Sequence, residues 1–256
     1  MAEFSAPVRN WFAGTFGEPT RVQREAWQTI SGGSNALVIA PTGSGKTLAA
    51  FLWAIDRLAV RDASDEGSSG GSSGGAVRGA TSQVSRGKVR VLYVSPLKAL
   101  GVDVHKNLQV PLAGIQAEYA ASGLPIPTIS TGVRSGDTTP SERRRLVSHP
   151  PEILITTPES LYLMLTSAAA EILSKVESVI VDEVHALAGN KRGAHLAVSL
   201  ARLDALLDRP AQRIGLSATV RPVEAVAEFA LRHRRRPSDG RGPRNRDRGS
   251  HHQRTS

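Results

Sequence analysis

The sequence predicts an α/β domain, a mostly parallel sheet flanked by helices. Three observations carry that prediction. Short apolar runs near residues 36–39, 90–95, 152–156, 178–182 and 213–217 alternate with segments of helical period. Strand–helix alternation at such spacing closes into a parallel sheet with helices on both faces. Second, Ala36-Leu37-Val38-Ile39 leads directly into Ala40-Pro41-Thr42-Gly43-Ser44-Gly45-Lys46-Thr47. A buried strand, a glycine-rich turn and a helix make a phosphate cradle. Third, Val179-Ile180-Val181 ends in Asp182-Glu183-Val184-His185. That places acids at the carboxyl end of a strand, where open parallel sheets bind ligands.

Each element has its own sequence signal. Residues 8–14 read as a short helix with Trp11 and Phe12 on its apolar side. Thr20 is the N-cap of a helix through residue 30, with Val22, Ala26, Trp27 and Ile30 at helical spacing. Residues 47–59 form the helix after the cradle, and Leu48, Phe51, Leu52, Ile55 and Leu58 face the sheet. Residues 61–88 are low-complexity and Gly/Ser-rich, which predicts a flexible insertion within one domain. A helix over 97–119 is expected to break or kink at Pro111. A strand is expected over 127–131, and Thr139-Pro140-Ser141-Glu142 starts a helix carrying Arg143, Arg144 and Arg145. That arginine run reads first as a solvated face. Trp11, Trp27 and Trp53 all sit at apolar helical positions and read as core.

The chemistry follows from residue types. Gly43 and Gly45 let successive N–H groups curl toward one point. Lys46 supplies a mobile cation for β- and γ-phosphates, and the Thr47 hydroxyl is placed to ligate Mg²⁺. Ala40 stands where the strict motif has glycine. Asp182 can hold Mg²⁺ directly or through water, from a strand expected beside the cradle strand. Glu183 can orient and deprotonate an attacking water.

Composition sets outer limits. With 256 residues and 40% hydrophobic content, the chain suits one α/β domain plus a tail. There is no cysteine, so disulfides and thiolate metal sites are excluded. The first residues lack a basic and an apolar signal region, and no apolar stretch has the length of a membrane span. A cytoplasmic location without membrane contact is expected. The net charge is +9, but residues 232–256 hold nine Arg and two Asp, or +7. The body therefore carries about +2, so the whole-chain charge says little about a nucleic-acid groove. The stretch 232–256 contains no Ala, Val, Ile, Leu, Met, Phe, Trp or Tyr and is expected to be disordered. It reads either as a basic arm for phosphates or as the end of a truncated or frameshifted reading frame. The second reading is preferred.

Several motifs together resemble the first RecA-like domain of a superfamily 2 DNA/RNA helicase. Asp182-Glu183-Val184-His185 resembles motif II in its DEVH form, and Ser217-Ala218-Thr219 resembles motif III. Phe16-Gly17-Glu18-Pro19-Thr20 with Gln23 resembles the Q motif. Ser95-Pro96-Leu97-Lys98-Ala99-Leu100 resembles motif Ia, and Thr156-Thr157-Pro158-Glu159-Ser160 resembles motif Ib. The wording is most similar to the large helicase-related, Lhr-like, proteins. The resemblance implies a RecA-like P-loop NTPase domain over 1–231 that binds ATP and Mg²⁺ and acts on single-stranded DNA or RNA. It implies adenine contact by Gln23, aided by Thr20 or Arg21, and phosphate contact by Thr42, Gly43, Ser44, Gly45, Lys46 and Thr47. Asp182, Glu183 and His185 take catalytic roles, and Ser217 and Thr219 couple motif III to motif II. Ser95, Lys98, Thr131, Gly132 and Thr157, with Glu159 nearby, lie along the nucleic-acid backbone; Arg134 is added on charge and position. A second RecA-like domain is implied and is expected to be missing from this chain. The rival reading is an ATP-binding fragment without complete catalysis.

Overall fold

The computed structural model describes residues 1–68 and 88–218, together with Val223 and Val226. The elements in chain order are helices α1 (Ala6–Phe16) and α2 (Arg21–Ser31), strand β1 (Ala36–Ile39), helix α3 (Lys46–Ser68), strand β2 (Val91–Val94) and helix α4 (Lys98–Ala121). Strand β3 (Thr131–Arg134), helix α5 (Pro140–Ser148), strand β4 (Ile153–Thr156), helix α6 (Pro158–Leu165) and a 3₁₀ turn (Ala168–Leu173) follow. Strand β5 (Ser178–Val181), helices α7 (Val184–Leu187) and α8 (Lys191–Leu206), and strand β6 (Gln212–Ser217) complete the set.

The six strands pair in the order β1-β6-β5-β2-β4-β3, and every pairing is parallel. Successive side chains on a strand point to opposite faces, so the alternation within each strand divides the core in two. Val91, Tyr93, Ile153, Ile155, Ile180 and Ile214 pack with α1 to α4 on one face. Leu92, Val94, Leu154, Val179 and Val181 pack with α6, α7 and α8 on the other. No helix among the described residues is long and apolar enough to cross a membrane.

Local chemistry explains the element boundaries. Thr20 accepts from Gln23 N–H while Gln23 Oε1 accepts from Thr20 N–H, a closed capping box at the start of α2. Thr139 and Glu142 repeat that arrangement at α5. Trp11, Trp27 and Trp53 are all buried, and Trp27 Nε1 donates to the Ala49 carbonyl at 2.9 Å, tying α2 to α3.

The structure corrects four details. Strand β5 does not lie beside β1, because β6 runs between them. Helix α3 continues to Ser68, so residues 61–68 are helix and not loop. Arg61 there pairs with Glu177 at 2.7 Å. Residues 69–87 lie outside the described set, as do residues 227–256, including the arginine-rich stretch. Helix α4 runs through Pro111 without a break. Finally, β3 begins where the expected strand ends, at Thr131. Pro127 has no N–H for a ladder, Thr128 N–H donates to Asp62, and Ser130 N–H donates to Glu152. Side chains therefore take the donors that a strand over 127–130 would use.

Candidate functional site

The cradle is built as its residue types require. Gly43 and Gly45 adopt φ of 80° and 82°, a region that L side chains avoid. Gly45 has a second constraint: a Cβ there would meet Gln23 Nε2 at 2.6 Å. Gln23 therefore sits directly against the cradle, with its Oε1 committed to the capping box and its Nε2 facing Gly45. Lys46 is buried, and its ammonium donates to the carbonyls of Ala40 and, at 2.8 Å, Pro41. Ser44 Oγ is buried without a hydrogen-bond partner among the described residues. Thr47 is half-buried in the first turn of α3, and Thr42 is exposed.

At the end of β5 the chain makes a sharp departure. Glu183 has φ 47° and ψ 44°, the left-handed region, and is the only non-glycine residue there among those described. Such a conformation costs about 1–2 kcal/mol. Glu183 N–H donates back to Asp182 Oδ1 at 2.8 Å. Asp182 Oδ2 accepts from the Tyr93 hydroxyl, so both carboxylate oxygens are held. Burial, and then the Asp182 charge, push the Tyr93 phenol above its ordinary value, which keeps it protonated as the donor.

His185 joins motif II to motif III. Its Nδ1 accepts from Ala218 N–H at 3.2 Å and lies 3.3 Å from Ser217 Oγ. An accepting Nδ1 puts the proton of the neutral ring on Nε2. Nε2 stands 3.2 Å from Glu183 Oε2. Thr219 lies outside the described residues.

Strand register divides the carboxyl edge of the sheet into two halves. Ile39 is level with Ser217, and Val181 with Gly215, so the cradle, motif III and motif II gather on β1, β6 and β5. Val94 and Arg134 are both level with Thr156, so motifs Ia and Ib and Arg134 gather on β2, β4 and β3. In the second half Ser95 is buried, its Oγ bonded to the Leu97 carbonyl. Thr157 caps α6 through Ser160 N–H. Lys98 opens α4, and its side chain lies outside the described set. Arg134 is half-buried; desolvation, and then the neighbouring Arg143 charge, lower its basicity. Its Nη1 has no hydrogen-bond partner among the described residues.

Two predicted residues fall elsewhere. Thr131 and Gly132 are level with Ile153 and Leu154, at the start of β3, roughly 10 Å and 7 Å below the edge at about 3.3 Å per residue. Thr131 Oγ1 accepts from Gln109, and a Cβ on Gly132 would strike Pro151 at 2.9 Å and Leu146 at 3.0 Å. Packing explains that glycine. Glu159 is engaged by Arg192, whose Nε donates at 2.7 Å while its Nη2 reaches Glu159 and the Pro96 carbonyl. Arg192 thus clamps motif Ia to motif Ib, and Tyr93 holds Asp182; the sequence reading missed both. Only Tyr93 had a legible signal, its place two residues before Ser95 in a buried strand. A concavity of about 420 Å³ lined by Asn35, Trp53, Arg57 and Gln212 lies at the opposite, amino edge, away from this chemistry.

These features define a nucleotide-binding α/β domain of the helicase class. A family model described as DEAD/DEAH box helicase matches residues 20–227, and the chain belongs to that family. Within it, the chain is similar to Lhr helicases. It is 60% identical over 229 residues to the Lhr helicase/probable uracil glycosylase of Mycolicibacterium smegmatis, covering 90% of this chain and 14% of that protein. It is 54% identical to the Lhr helicase/uracil glycosylase of Escherichia coli, covering 88% and 14%. The structure of Mycobacterium smegmatis helicase Lhr bound to ssDNA and AMP-PNP matches with a TM-score of 0.77 and 59% identity, over 89% of this chain and 26% of that one. The DEAD-box helicase Mss116 bound to ssRNA and UDP-BeF matches at 17% identity and a TM-score of 0.67, over 91% of this chain and 42% of that one, a likeness of fold alone. The chain spans 14% of the length of the two Lhr proteins it is compared with.

Proposed function

We propose that this chain is the ATP-binding half of an Lhr-like helicase or translocase, which couples Mg-ATP hydrolysis to movement on a single strand. One observation carries the proposal: nucleotide motifs and nucleic-acid motifs occupy adjoining halves of one sheet edge. The AMP-PNP and ssDNA bound by the Lhr structure that shares 59% identity support the same assignment.

Lys46 exchanges its two carbonyl partners for β- and γ-phosphate oxygens. Gln23 contacts adenine through its Nε2 beside Gly45, since the Thr20 N–H holds its Oε1. The Thr47 hydroxyl and the buried Asp182 carboxylate are hard oxygen donors suited to Mg²⁺. They would hold Mg²⁺, which would supply positive charge against the nucleotide phosphates. Glu183 accepts the proton of the attacking water as its oxygen bonds to the γ-phosphorus and the bridging P–O bond breaks, releasing ADP. His185 orients Glu183 and reports its state to Ser217.

On the other half, Ser95, Lys98 and Thr157 follow the phosphodiester backbone, which hydroxyls and N–H groups contact without reading bases. A phosphate beside Arg134 would satisfy its Nη1 and offset the Arg143 charge. Backbone contact does not separate DNA from RNA; 2′-hydroxyl contacts would. An arginine reaching the γ-phosphate from a second domain is worth about 10³–10⁵ in related NTPases. The described domain, assayed by itself, is therefore expected to bind ATP and turn it over slowly.

The test is titration calorimetry with a Mg-bound non-hydrolysable ATP analogue. Lys46→Ala removes the mobile cation of the cradle and should abolish measurable binding. Unchanged affinity would end the nucleotide assignment.

A further inference from the structure

Tyr93 is the side-chain link across the seam between the two halves of the sheet edge. It sits on β2, the first strand of the nucleic-acid half, and its hydroxyl donates to Asp182 at the end of β5, the last strand of the nucleotide half. Register makes the contact: Tyr93 is level with Ile180, and Asp182 is two residues further on the same face. The ring is fully buried and stacked on Phe51 of α3, with centroids 4.9 Å apart and planes at 28°. Its body is thus fixed by the helix that follows the cradle, and its hydroxyl is fixed by the carboxylate.

Asp182 has two oxygens and two internal donors, Tyr93 hydroxyl and Glu183 N–H. Without the phenol, only the Glu183 N–H would restrain rotation of the carboxylate. We infer that Tyr93 is a positioning residue that orients Asp182 for the divalent cation carried by the nucleotide. The inference rests on the nucleotide assignment above. Phenylalanine keeps the ring and its stacking on Phe51 while removing the donor, so Y93F isolates the hydroxyl.

The experiment compares affinities of the non-hydrolysable ATP analogue in Mg²⁺ and in EDTA, for the wild-type chain and Y93F. The wild type should bind more tightly in Mg²⁺. In Y93F that Mg²⁺-dependent gain should fall about tenfold, as for loss of one hydrogen bond to a charged group, with affinity in EDTA unchanged. D182N should show the same reduced gain, and Y93F on top of D182N should add nothing. A Y93F chain with the full Mg²⁺ gain, or a larger one, overturns the role of Tyr93 alone. A wild-type chain with equal affinity in both buffers overturns the nucleotide-metal assignment and the inference together.

If Y93F does not fold, ¹⁹F NMR of the wild-type chain labelled with 3-fluorotyrosine decides. The chain has three tyrosines, so Y119F and Y162F assign the signals. The Tyr93 resonance should move between the EDTA and Mg²⁺ complexes while that of Tyr119 stays. A stationary Tyr93 resonance overturns the inference.

Discussion

Asp56 is held in an unfavourable charge state. It is buried in α3 and accepts from Ser5 N–H at 3.0 Å, and burial outweighs that bond and nearby Arg57 and Arg9 to raise its carboxyl above the ordinary range. Between its unfolded and folded values the native chain binds more protons, so this group's contribution to stability falls as pH rises through that window. Above the folded value the penalty is complete. Asp56→Asn keeps an acceptor for Ser5 and removes the charge. It should raise Tm at neutral pH, with the difference vanishing below the unfolded carboxylate value near 3.8. Circular-dichroism melts of both chains across acid and neutral pH check this; a constant offset would refute the assignment. Arg213 and Asp204 show the opposite case, a buried pair 2.6 Å apart. Asp204→Ala should destabilise the fold by about 3–5 kcal/mol, the usual cost of breaking such a pair on one side, measured by urea denaturation. At the site, Glu183→Gln should retain analogue affinity and lose residual hydrolysis, since the amide cannot take a proton. Turnover at the wild-type rate would remove Glu183 as the base.

Elements were legible where their signals were local. The cradle, its flanking strand and helix, and the helix starts at Thr20 and Thr139 depend on neighbours within a few residues, and the sequence shows them directly. Strand β3 was misplaced because its boundary is decided by Asp62 and Glu152, distant in sequence, which take the amides of Thr128 and Ser130. Helix α4 is continuous past Pro111 although proline removes one N–H and crowds the preceding turn. It joins one face of the core through Leu108, Leu112 and Ile115, an attachment invisible to local propensity. Gly132 offers a clean test of the packing account of β3. Gly132→Ala should cost about 1–3 kcal/mol through overpacking against Pro151 and Leu146. If stability holds while nucleic-acid affinity falls, Gly132 belongs to the strand-binding surface after all.

For the whole molecule, the charge is unevenly spread, with residues 232–256 carrying +7 of the +9. Deleting them should leave ATP-analogue affinity unchanged and flatten the salt dependence of oligonucleotide binding. Each lost phosphate contact should lower the log–log slope for a single strand by about 0.7, read by fluorescence anisotropy. Equal slopes would locate binding entirely in the body. The order of strands across the sheet was not legible, because it is a non-local choice among topologies that the same local signals permit. That order has a mechanical consequence. Strand β6, which ends in Ser217, is hydrogen-bonded to β1 on one side and β5 on the other. It cannot slide without breaking ladders on both flanks. Any signal that passes through Ser217 must then travel by rotation of the hydroxyl and the His185 ring, motions of picoseconds to nanoseconds where exposed, and not by sheet rearrangement. In hydrogen exchange, the amides of Ile214 to Leu216 should stay equally protected with and without nucleotide, while that of Ala218, bonded to His185, changes. Nucleotide-dependent exchange within β6 itself would mean that the ladder, and not the side chains, moves.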